Sequence, residues 1–156
     1  MDISAMFKLS YGIYLICTEN EGKKRGCLVN TVFQLTAEPV RIGVSVAKGN
    51  MTHDEIVKKG SIGVTVMGES ADYHILGPFG YRSSRDVDKF EGVPHHMDIN
   101  GNPLIDVNAV SQISCTVEKA IDMDTHTLFV CRVDDAENVE STDEPMTYKF
   151  YREVRK

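Results

Sequence analysis

The sequence predicts a mainly β domain that curls into a closed or partly open barrel and carries a few short helices. Three observations lead there. Runs rich in β-branched and aromatic residues recur along the chain. Helical spacing is confined to short segments. With 156 residues, 42% hydrophobic and 26% charged, the chain suits one core that buries about two thirds of the unfolded surface. A single domain over 1–156 is therefore expected.

Taken in order, a short amphipathic opening over Asp2 to Leu9 leads into a strand from Tyr11 to Thr18. Glu19 to Lys24 is a polar turn. Cys27 to Thr36 and Val40 to Val46, separated by Glu38-Pro39, read as two more strands, and three in succession suggest an antiparallel meander. Met51 to Lys59 has helical spacing and stops at Gly60, before a buried strand from Ile62 to Met67. A second short helix is expected over Ser70 to Leu76. Gly77 to Pro103 is irregular, and loops of that length usually carry function. Val110 to Lys119 and His126 to Val133 are strands around an acidic turn. The tail from Met146 to Val154 reads as either a last strand or an ordered arm.

Composition also excludes partners. A net charge of −6 and a pI near 5.3 disfavour a nucleic-acid binder, which grips phosphates with Lys and Arg. No apolar stretch approaches the roughly 20 residues of a membrane helix, and Met1 to Ser4 lack the pattern of a signal peptide. A cytoplasmic protein without membrane or nucleic-acid partners is expected. The four cysteines, Cys17, Cys27, Cys115 and Cys131, form no CxxC pair and sit in apolar runs, as reduced core residues do. The histidines lack metal spacing, so no metal site is expected.

Lys48 to His53 joins a strand to a helix, placing Asn50 and Thr52 where free N–H groups and the helix dipole favour an anion. The same residues fit a capping box in which Thr52 and Glu55 satisfy those donors. Neither GxGxxG after a first strand nor GxxxxGK[ST] occurs, so any bound nucleotide sits on another scaffold.

Five stretches in chain order, Gly26 to Thr36, Val44 to His53, Phe79 to Phe90, Thr125 to Val130 and Thr147 to Tyr151, resemble the flavin reductase family of FMN-binding split barrels. That family includes ferric reductase-like proteins and the flavoprotein module fused to rubredoxin in some anaerobes. The resemblance implies a Greek-key split β-barrel, a homodimer, FMN as cofactor and NADH or NADPH as electron donor. Electrons would leave to free flavin, ferric iron or a rubredoxin-like or other redox protein. An alternative is an electron carrier reduced by a partner protein and not by NAD(P)H.

Residue by residue, the resemblance lays Asn30, Thr31, Val32, Phe33 and Gln34 along the isoalloxazine. Ser45, Val46, Ala47 and Lys48 line the ribityl chain, and Asn50 and Thr52 meet the phosphate, with Lys48 supplying opposite charge. Lys89 is a further phosphate or substrate contact, or a solvated loop lysine. His126 stands beside the flavin and nicotinamide as the catalytic candidate, or is a strand residue with a local hydrogen bond. Two departures stand out: Ser83-Ser84 where the family usually has Ser-Gly, and Cys131 where Gly is common.

Overall fold

The computed structural model describes residues 1–154. Its elements run β1 (Tyr14–Asn20), β2 (Lys23–Val29), β3 (Val32–Ala37), β4 (Val40–Ala47), α1 (Met51–Lys59), β5 (Ser61–Met67), α2 (Tyr73–Tyr81), β6 (His95–Met97), β7 (Pro103–Ile105), β8 (Ala109–Met123), β9 (His126–Asn138) and α3 (Tyr148–Val154). Residues Ile3–Lys8 form a short 3-10 helix, begun by the Asp2 carboxylate accepting from Ser4 N.

Seven strands make one antiparallel sheet in the order β2-β1-β5-β8-β9-β4-β3, with β6 and β7 pairing separately. The two edge strands, β2 and β3, are consecutive in the chain and separated only by Asn30 and Thr31. A two-residue link cannot cross the width of a flat seven-stranded sheet, so the sheet must curl until its edges nearly meet. The result is a split barrel whose seam lies at Asn30 and Thr31.

Both faces of β1 and β5 are covered, which is why they read as continuous apolar runs. Ile16, Ile62 and Val64 pack inside the barrel with Cys27, Val44, Ile56, Phe129 and Cys131. Ile13, Leu15, Cys17 and Met67 pack outside it, under Leu76 and Phe79 of α2 and under Met146 and Tyr151. Cys131 fills interior space, as its position opposite Ile42 in the sheet requires.

Four expectations change. The run from Cys27 to Thr36 is two strands, because the chain switches partner from β1 to β4 across the seam. The turn expected over Glu19 to Lys24 is only Glu21 and Gly22, both with positive φ (52° and 76°), so the basic residues after it belong to an edge strand that tolerates exposure. The helix expected over Ser70 to Leu76 starts and ends later, at Tyr73 and Tyr81, with Asp72 accepting from His74 N. The tail is helical from Tyr148, tied down where Tyr148 N donates to Tyr11 O.

Candidate functional site

A cleft of about 320 Å³ opens at the seam. Cys27, Leu28 and Val29 at the end of β2, with Asn30 and Thr31 of the link, form one wall; Ser45, Val46 and Ala47 at the end of β4 form another. Asn50 at the start of α1 and His126 at the start of β9 border it, and Gly80, Tyr81, Tyr148 and Tyr151 cover it from α2 and α3. The walls are joined where Ser45 N donates to Thr31 O, at 3.1 Å.

Of the residues singled out from sequence, Asn30, Thr31, Ser45, Val46, Ala47, Asn50 and His126 come together here. Val32, Phe33 and Gln34 lie beyond the link on β3 and are not in the lining; Gln34 Nε2 donates instead to Thr36 O. The Lys48 ammonium is 2.5 Å from Asp122, whose carboxyl it holds below the ordinary range by its hydrogen bond. Lys89 is buried: Nζ donates to Gly26 O at 2.7 Å and stands 5.8 Å from the Phe79 ring centre. Burial pulls this ammonium below its usual pKa, against the opposing influence of Cys27 and Cys17.

At the start of α1, Asn50 supplies the cap, its Oδ1 accepting from Thr52 N at 3.0 Å. The capping box is not formed, because the Glu55 carboxylate takes hydrogen bonds from Asn20 and Lys58. Thr52 therefore keeps a buried hydroxyl, beside the Cys27 thiol, that makes no hydrogen bond of ordinary geometry among the described residues. Burial pushes the Cys27 thiol up to about 11, so it is protonated at neutral pH. His126 is exposed, with its Nδ1 2.9 Å from Thr125 Oγ1.

The tyrosine roof was missed from sequence. Tyr148 and Tyr151 are stacked with ring centres 6.1 Å apart, and Tyr151 OH lies 3.4 Å from Tyr81 OH. A spacing of three between aromatic residues was the available signal, since it puts both rings on one face of a helix. The loop at Ser83 and Ser84 needs no glycine: the non-glycine residues with positive φ among those described are Glu21, Asn108 and Asp124.

A cleft lined by backbone groups and short polar side chains, by the tyrosine rings and by a helix start suits a flat ligand bearing an anionic tail. The fold and cleft together define a split-barrel ligand-binding domain. The flavin reductase like domain pattern matches residues 6–155. A ferric-chelate reductase (NAD(P)H) of Archaeoglobus fulgidus is 40% identical over all of this chain and 92% of its own length. The high molecular weight rubredoxin of Moorella thermoacetica is 33% identical over all of this chain and 68% of its own. Among solved structures, the styrene monooxygenase flavin reductase of Pseudomonas putida S12 superposes with a TM-score of 0.79 at 26% identity, over 92% of this chain and 89% of that one. This chain belongs to the flavin reductase-like family.

Proposed function

We propose that residues 1–156 act as one cytoplasmic domain that holds FMN at the barrel seam, accepts electrons from NADH or NADPH, and delivers them to free flavin, ferric iron or a redox protein. The observation that carries this reading is the convergence of Asn30, Thr31, Ser45, Val46, Ala47, Asn50 and His126 on one cleft. FMN held there would supply the hydride-accepting and electron-releasing chemistry.

The chain's own groups bind and orient. Asn30 and Thr31 face the flat ring system, Ser45, Val46 and Ala47 line the ribityl chain, the start of α1 receives the phosphate, and the buried Thr52 hydroxyl, without a hydrogen bond of ordinary geometry among the described residues, fits an anionic neighbour. Lys48 adds positive charge although Asp122 shares it. His126 borders the open side of the cleft, where the nicotinamide approaches. The rubredoxin named in the Moorella relative supports a small redox protein as one acceptor. Exposed Phe33, Leu35 and Val40 on the β3–β4 hairpin support a homodimer that covers this apolar surface.

Absorbance titration of the purified protein with FMN, followed by anaerobic stopped-flow mixing with NADH and NADPH, tests the reading. A bound flavin that a nicotinamide bleaches supports it. A bound flavin that neither nicotinamide reduces would make the chain an electron carrier. His126→Ala is expected to retain FMN and slow the reduction, and unchanged single-turnover reduction would remove His126 from the hydride path.

A further inference from the structure

A second basin, about 540 Å³, lies at the other end of β2, between the β1–β2 turn and the loop 84–88. Four cations face it, Lys23, Lys24, Arg25 and Arg85, against two carboxylates, Asp86 and Asp88. On a chain of net charge −6 this is a local reversal of sign. Among the described residues, no ion pair uses any of the four cations.

The basin also holds polar groups that have no partner among the described residues. Ser84 is 8% exposed, and its Oγ is buried with no hydrogen bond to any of them; Arg25 Nε is in the same state. Native structures leave few such atoms, and a ligand is one explanation of them. The Arg25 guanidinium makes one side-chain hydrogen bond, from Nη1 to Lys24 O at 3.3 Å. Glu55 lies within its electrostatic reach but is already hydrogen-bonded to Asn20 and Lys58.

His95 fixes Lys24 in place. Its Nδ1 is 2.7 Å from Val93 O, a group that can only accept, so Nδ1 carries the hydrogen and Nε2 accepts from Lys24 Nζ at 2.8 Å. An ammonium has three protons, and two remain for another acceptor. Asp88 is partly occupied in turn, its Oδ1 accepting from Phe90 N. A guanidinium, a positioned ammonium and a free hydroxyl form a donor set suited to phosphate oxygens.

The two sites share a strand. At a rise of about 3.4 Å per residue, Arg25 stands roughly 10 Å along β2 from Leu28 of the flavin cleft. Between them Lys89, one residue past the basin loop, pins that loop to Gly26 O. Gly26 allows the close packing here, because a Cβ would lie 2.7 Å from the Phe79 ring.

We propose that this basin is an anion site that takes the phosphate groups of the nicotinamide dinucleotide while the nicotinamide reaches the flavin cleft. The assignment of the donor rests on the function proposed above. A ferric polycarboxylate chelate offers similar negative charge, and the experiment separates the two sources.

Inorganic pyrophosphate is titrated calorimetrically into FMN-loaded protein, wild type and the Arg25→Gln, Arg85→Gln and Ser84→Ala variants. Steady-state KM values for NADPH, NADH and ferric citrate are measured alongside. Wild type is expected to bind pyrophosphate, and Arg25→Gln to weaken it by about tenfold or more, the loss of one charge-assisted hydrogen bond. KM for the nicotinamide rises in parallel, with kcat and FMN affinity kept. Arg85→Gln and Ser84→Ala, which carry less structural risk, show the same direction with smaller size. Absence of pyrophosphate binding to wild type, or binding that no variant changes, overturns the site. A rise in KM for ferric citrate alone overturns the assignment to the donor. If pyrophosphate binds and Arg25→Gln abolishes it, yet no nicotinamide reduces the flavin, the proposed electron donor is wrong and the anion site stands.

Discussion

The β8–β9 pair and the β2/β3 seam belong to one sheet and do opposite things. β8 and β9 pair from Ser111↔Asn138 to Met123↔His126, and each has a second neighbour, β5 or β4. β2 and β3 have one neighbour each and meet only through Asn30 and Thr31. Where both sides of a strand are paired, its backbone donors and acceptors are consumed by the ladder. At the seam one side of each strand is left for something else. The barrel thus separates a half that holds the fold together from an edge available to a ligand.

That division is broken most directly by Phe129→Ala. Phe129 is fully buried on β9, inside the barrel against His53, and removing a buried aromatic ring costs about 3–5 kcal/mol. Denaturant unfolding is expected to show that loss. If FMN affinity fell by as large a factor under conditions where the variant is folded, the two halves would not be separable.

At the seam, Asn50→Ala should do the converse. Loss of the α1 cap costs about 1 kcal/mol of stability, whereas FMN affinity is expected to fall by tenfold or more, because the helix start loses the residue that orders it. Fluorescence titration checks this, with riboflavin as control: riboflavin binding is expected to be affected far less. Equal losses for both would move the phosphate away from α1.

The smallest effect concerns pH. Burial alone would raise the Asp134 carboxyl on β9, but hydrogen bonds from Thr116, Asn100 and Arg132 outweigh it and leave the carboxyl below its ordinary range. Its folded value being lowered, the stabilisation is present above the unfolded value near 3.9 and is lost as pH falls through the folded one. A partly exposed pair of this kind contributes on the order of 1 kcal/mol or less. Wild type and Asp134→Asn should therefore differ in Tm at pH 6 to 7 and converge near pH 2, with FMN affinity alike in both. A difference that persists in acid would assign the effect to packing.

The strands were legible in the sequence because burial on one or both faces leaves a direct residue pattern. The seam was not, since nothing in the run from Cys27 to Thr36 marks the point where pairing passes from β1 to β4. Placement of Phe33 and Gln34 followed from that: treated as one strand with Asn30 they belong to the cleft, and across a change of partner they leave it. The β6–β7 hairpin, of three residues a side, is too short for periodicity to register. Lys89 reads in sequence as a phosphate or substrate contact or as a solvated loop lysine, and only the fold brings Gly26 O to its ammonium. Cleft walls on β4 and α1 were legible through motif order, whereas the roof on α3 depended on tertiary contact with Tyr11 and Tyr81.

Amide hydrogen exchange with and without FMN tests most directly whether the seam is the ligand's place. FMN is expected to slow exchange at residues 27–31 and 45–50 and to leave Ser111 to Val117 of β8 unchanged. Protection confined to β8 and β9, or none at the seam despite bound flavin, would contradict the account.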